Sequence, residues 1–183
     1  MSKTSGTSLP AATVGPDDHV IGPATAVVTL IAYCDFECPY CGRAYPIIKR
    51  LRANREDRLR FVFRHFPLTH KHPHAQQAAE AAEAAGAQGQ FWAMHDLLFE
   101  NQEALGIADL RTYGEFLGLD MGRFDQALAA HTYTDRVQQD VNSGKMNGAR
   151  GTPTFFINGA RHTDEETLER VVLEAVGRMQ RDT

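Results

Sequence analysis

The chain has 183 residues, 43% hydrophobic and 23% charged, with a formal net charge of −4. That length supports one domain with a sizeable core, and the charge balance offers no global basic field for nucleic acid. No apolar run approaches the roughly 20 residues that span a bilayer, so neither nucleic acid nor a membrane is expected as a partner.

Residues 1–18, "MSKTSGTSLPAATVGPDD", are polar and rich in small side chains. They read as a flexible tail without the apolar stretch of a secretory signal, and a single domain over 19–183 follows. Taken from Met1, this points to a cytoplasmic protein; a trimmed N-terminus would point instead to a periplasmic or other extracytoplasmic one. "AVVTLIAYC" (26–34) is apolar and β-branched and predicts a buried strand. After the loop "DFE" come Cys38 and Pro39. Pro is favoured at the first helical position, where its missing N–H costs nothing, so Cys38 falls at the N-cap of a helix through "YCGRAYPIIKRLRAN". Pro46 interrupts that helix internally and is expected to kink it. "RLRFVFRHFPL" (58–68) alternates apolar and basic residues and predicts a second strand. Strand, helix and strand form a βαβ unit, which implies parallel strands joined by a right-handed crossover.

Residues 73–146 carry helical spacing and no convincing strand, giving an inserted block of four or five helices. "GTPTFFINGARHT" follows, where Asn158-Gly159 between two apolar runs signals a type I′ hairpin. "DEETLERVVLEAVGRM" closes the chain as a helix, acidic at its start and basic near its end. The order is β-α-β, a helical insertion, then β-β-α: an α/β fold with helices covering a mixed sheet.

All three cysteines lie in "CDFECPYC", as Cys34, Cys38 and Cys41. Disulfide exchange needs a thiolate, and a free thiol near pKa 8.5 supplies only a few per cent at pH 7. A helix start presents unpaired N–H groups and about half a positive charge, so Cys38 is expected to be held ionised there. Cys41 lies one turn later on the same face. Cys38 then attacks a substrate disulfide and Cys41 resolves the mixed disulfide. Two other readings use the same residues. C-x2-C is half of a zinc site, but no fourth cysteine accompanies it. The C-x3-C-x2-C spacing also fits the iron–sulfur site of radical S-adenosylmethionine enzymes, whose repeated β-α units are missing here.

"VTLIAYCDFECPYCGRAYP" together with "GTPTFFINGAR" resembles the DsbA-like branch of the thioredoxin fold over about residues 19–179. The resemblance implies a thioredoxin-like fold with an inserted helical block and a thiol–disulfide oxidoreductase activity. It further implies a cis-Pro153 after Thr152, facing the sulfurs, with the preceding backbone binding an extended substrate by strand addition. Pro39 and Tyr40 complete a C-P-Y-C motif that is also similar to the glutaredoxin site. Such a protein needs no bound cofactor or metal. Its partners would be protein or peptide thiols and disulfides, with glutathione or a thioredoxin-type protein as electron partner.

Two positions depart from the resemblance. Six residues before Cys38, where a buried carboxylate often helps move protons, stands Ala32. Cys34 occupies a place where Gly or Ser is common; it is either a small buried residue or an accessory thiol able to trap Cys38. Glu37 is expected to face solvent. Phe36 and Tyr40 either rim the substrate site or simply pack. The alternate histidines of "THKHPHA" (His70, His72, His74) suggest a second reading, a copper- or zinc-binding thioredoxin-fold module or scaffold with little redox turnover. The basic run from Lys49 to Arg60 reads as a solvated helix face.

Overall fold

The computed structural model describes residues 13–55 and 57–181, so residues 1–12 of the expected tail lie outside the described part. Five strands form one mixed sheet: β1 (His19–Ile21), β2 (Val28–Cys34), β3 (Leu59–His65), β4 (Thr154–Ile157) and β5 (Ala160–His162). Their spatial order is β1-β3-β2-β4-β5. β2 and β3 run parallel, linked by α1 (Pro39–Asn54), and every other pairing is antiparallel. The inserted block holds five helices: α2 (Ala75–Gly86), α3 (Phe91–Glu100), α4 (Ile107–Phe116), α5 (Met121–Ala129) and α6 (Thr134–Met146). α7 (Leu168–Arg181) ends the described chain.

β2 is buried on both faces, which its β-branched, uncharged sequence requires. Alternation sends Leu30, Ala32 and Cys34 into the larger core, beneath α1, α7 and α2–α5. Ile31 and Tyr33 enter a smaller core on the opposite face with Val62, Phe66 and Val141 of α6. α6 approaches that face closely at Gly144, where an added Cβ would come within 2.8 Å of the Phe66 ring.

The differences from the sequence reading have local causes. β1 is an added edge strand of three residues, pairing with β3 from His19↔Phe63 to Ile21↔Phe61. Three residues carry no readable period. β3 stops at His65, before Phe66 and the Pro67 that has no N–H to offer a ladder. Asn158 and Gly159 take positive φ, 48° and 82°, as a type I′ turn demands, and Ile157 pairs with Ala160 across it. α7 begins at Leu168 because Asp164 folds the preceding residues into a turn, accepting from the Glu166 amide at 3.0 Å and the Thr167 hydroxyl at 2.9 Å. Asp18, at the end of the expected tail, is tied to β3 by Arg64, whose Nε and Nη2 each donate to it at 2.7 Å.

Candidate active site

β2 delivers the chain to the site and α1 carries it. Cys38 is the N-cap, with extended backbone (φ −76°, ψ 121°), and Pro39 opens the helix. Cys41, one turn on, points into the larger core with 1% of its surface exposed. The Cys38 thiol donates to the Thr152 carbonyl at 3.4 Å. The Thr152–Pro153 peptide is cis, and β4 begins at Thr154. The Asp35 amide donates to the Cys41 sulfur at 3.5 Å. All three cysteines are free thiols. Tyr40 is exposed, with the Arg43 guanidinium over its ring at 4.3 Å. Phe36 is buried, packed on Phe63 and Phe99. Of the two aromatics flanking the motif, only Tyr40 stands at the rim.

Cys34, also buried, acts on the Cys41 thiol, pushing it up, and is not among the groups acting on Cys38. Alternation along β2 sends Cys34 into the larger core, where its neighbour is Cys41.

The electrostatics correct one expectation. The Cys38 thiol is pushed up, not down: its hydrogen bond with Cys41 raises it, then burial, then the like charge a second thiolate would add. The Cys41 amide at the helix start and Thr152 act downward, but they are outweighed. Among the described residues no cation faces the sulfur through a hydrogen bond. Cys41 is also pushed well up, first by burial and then by Cys34. Both directions favour the protonated thiols in the reduced, substrate-free protein, against the pull of the helix start.

The loop between β2 and α1 is fixed by Asp35. Its buried carboxylate accepts from the Glu37 amide at 2.8 Å, the Leu68 amide at 2.8 Å and His72 Nδ1 at 2.7 Å. Glu37 does not face solvent; it takes the His74 amide at 2.7 Å and His74 Nδ1 at 3.0 Å. Of the alternate histidines, His72 and His74 are thereby taken by two different carboxylates, and His70 joins neither, so the run does not gather as a ligand set among the described residues. Gln102, just beyond α3, donates from Nε2 to the carbonyls of Phe36 at 2.7 Å and Cys38 at 2.9 Å.

A different trio has the donor types of a metal site: His19, His65 and Glu83, whose nearest ligand atoms lie within 4.8 Å of one another. Its contacts favour a hydrogen-bonded tie. Glu83 Oε1 meets His19 Nε2 at 2.8 Å and His65 Nε2 at 2.9 Å, and Arg136 Nε stands 3.9 Å away. A guanidinium at that distance repels a cation, and a ligating His65 would leave its buried, unpartnered Nδ1 as an orphan donor.

The family model described as Thioredoxin matches residues 14–173. The chain belongs to the thioredoxin family. The thioredoxin-like oxidoreductase of Silicibacter pomeroyi DSS-3 is similar in structure, with a TM-score of 0.78 and 26% identity over 91% of this chain and 94% of that one. The alpha-DsbA1 of Wolbachia pipientis matches with a TM-score of 0.74 at 19% identity, over 90% of this chain and 94% of that one. The DsbA-like form of the fold expected from the sequence is the form observed. In sequence, the Na(+)/H(+) antiporter NhaA 3 of Salinispora tropica is 51% identical over 157 residues, 85% of this chain but 24% of that protein. The chain spans about a quarter of the length of the curated relatives it matches.

In this thioredoxin-family chain the strand position six residues before Cys38 holds Ala32, fully buried between Phe63 and Phe155 in the ladder. The polar groups near the thiols come instead from Asp35 in the loop and from Gln102 just beyond α3. Asp35 was legible only as a loop residue, and Gln102 gave no signal at all.

Proposed function

We propose that the chain is a thiol–disulfide oxidoreductase acting on protein or peptide substrates through Cys38 and Cys41. The observation that carries this reading is the placement of the two thiols on the first turn of α1, one hydrogen-bonded to the Thr152 carbonyl and the other behind it. Cys38, once ionised, attacks a substrate disulfide. A Cys38–substrate bond forms and the second substrate sulfur leaves with its electron pair. Cys41 then attacks Cys38, closing the intramolecular disulfide and releasing the other substrate thiolate. The substrate gains two electrons and the protein loses them; the reverse sequence oxidises a dithiol. Docking of an extended substrate beside Thr152 and Pro153 takes over the Thr152 carbonyl and frees the Cys38 thiol from that bond. Tyr40 offers the exposed aromatic edge of the site. A small thiol such as glutathione or a thioredoxin-type protein serves as electron partner. No helix of the described residues is long and apolar enough to cross a membrane, and the antiport named for the longer relatives forms no part of this reading.

Insulin reduction by a dithiol tests it. Cys38→Ala is expected to abolish turnover, and Cys41→Ala to accumulate mixed disulfides visible on non-reducing gels. Full activity in Cys38→Ala would overturn the mechanism.

A further inference from the structure

Resolution of a mixed disulfide needs Cys41 as a thiolate, yet Cys41 is buried and its thiol is pushed up. Its proton must leave to some group, and Ala32 provides none. Behind the thiols lies a small cavity of about 10 Å³, lined among others by Cys34, Cys41, Tyr45, Arg52, His95 and Phe99. That volume is about what one water molecule requires.

His95 of α3 is the base that faces this cavity. Its Nδ1 lies 2.9 Å from Asp96 Oδ1. Asp96 is held below the usual carboxylate range: burial pushes it up, but the His95 hydrogen bond and nearby cations outweigh burial. An ionised carboxylate only accepts, so Nδ1 carries the proton and Nε2 of the neutral ring is a free lone pair. Among the described residues no protein group hydrogen-bonds to Nε2. Burial holds the imidazole below its ordinary range, so it is neutral at pH 7, with Asp96 acting upward and Arg52 and His65 downward. The other titratable groups facing it are Cys41, Tyr45 and Lys49 of α1 and Cys34 of β2.

We propose that His95, backed by Asp96, accepts the Cys41 proton through one water in this cavity as Cys41 attacks the mixed disulfide. The inference rests on the thiol–disulfide reading and deepens it. The proton passes from Cys41 Sγ to the water while the water gives one to His95 Nε2. The thiolate so formed bonds to Cys38 Sγ, and the Cys38–substrate bond breaks with its electron pair on the departing sulfur. The imidazolium is stabilised by Asp96, whose side chain is 32% exposed and 3.7 Å from Lys49 Nζ, and its proton is lost to solvent there. His95 is a proton-relay residue and touches no substrate.

Stopped-flow mixing of the reduced protein with a disulfide peptide separates mixed-disulfide formation from its resolution. His95→Gln is expected to leave formation unchanged and to slow resolution about 100-fold at pH 7. The gap should close as pH rises and hydroxide removes the Cys41 proton directly. Asp96→Asn should slow the same step by a smaller factor. If His95→Gln resolves at the wild-type rate across pH 6–9, the relay is wrong. If the wild type forms no mixed disulfide at all, the thiol–disulfide reading itself has failed, and the relay with it. His95 packs among Phe36, Phe63 and Phe99, so a second measurement uses the unaltered protein. Its ¹⁵N spectrum should place the His95 ring proton on Nδ1; a proton on Nε2 in the reduced state overturns the proposal regardless of how the variants fold.

Discussion

Glu83 offers a direct measure of what holds the end of β3 in place. Its side chain is 8% exposed, and its Oε1 serves two imidazoles at 2.8 and 2.9 Å, one of them on His65, whose side chain is 1% exposed. His65 pairs with Cys34 across the sheet, so this tie sits directly behind the strand that leads to the thiols. Replacing Glu83 with Ala removes the shared acceptor and orphans two ring donors, each costing about 1–3 kcal/mol. It also strips a partner from Arg136, and breaking a buried ionic contact costs about 3–5 kcal/mol. These losses overlap, so the expected total is about 3–5 kcal/mol, a fall in Tm of about 6–20 °C for a domain of this size. The pH dependence gives a second reading. Burial pushes the Glu83 carboxyl up, but hydrogen bonds from His19 and His65 outweigh it and hold it well below the usual value of 4.5. A depressed carboxyl contributes stability that is present above its unfolded pKa, near 4.5, and lost as pH falls below that. Glu83→Gln should therefore lose stability at pH 7 and show a flatter decline than wild type between pH 4.5 and 2.5. Urea melts at pH 7 and pH 3 measure both effects. A loss below about 1 kcal/mol for Glu83→Ala at pH 7 would refute the tie as a structural element.

Two further outcomes follow from the protonated dithiol. Alkylation of reduced Cys38 by iodoacetamide, read by mass spectrometry, should accelerate about tenfold per pH unit from pH 6 to beyond pH 9; a plateau near neutral pH would mean a thiolate already formed by the helix start. The reduced state also lacks the ionisation that makes a strong oxidant. A glutathione titration should place the pair toward the reducing end of the family, nearer about −270 than −120 mV, and a value above about −150 mV would contradict the upward direction for Cys38.

What was legible in the sequence depended on how local its cause was. β2, the Cys38 N-cap with Pro39, and the Asn158–Gly159 turn are each specified by a few adjacent residues, and each was read at its place. β1 was not, because three residues acquire meaning only from their partner 42 positions on, as in Val20↔Val62. Likewise Asp35 and His72 are 37 residues apart and Gln102 reaches carbonyls more than 60 residues away; nothing in either segment names the other. The upward direction at Cys38 has a related cause. The helix start is a local feature and favours the thiolate, whereas the burial and the neighbouring thiol that oppose it arise only from packing. The Ala32 departure, by contrast, was visible in the sequence, while the group that answers it lies on a helix of the insertion.

That answer also explains the arrangement around α1. The helix separates two chemistries that would interfere if they shared one face. On the outer side are the Thr152 carbonyl, exposed Tyr40 and, just beneath the surface at 3% exposure, Cys38, where a substrate chain must come and go. On the inner side are Cys41, Cys34 and His95, which line one small cavity with Phe99 and Tyr45. A resolving thiol turned inward does not compete for incoming disulfides, so the first attack falls to Cys38 at the helix start. Its proton then departs toward α3 and Asp96, away from the substrate, and water need not enter the outer face while the mixed disulfide is held there. Cys34 belongs to the inner side as well: its contact is with Cys41, and any influence it has on turnover acts on the second attack rather than the first.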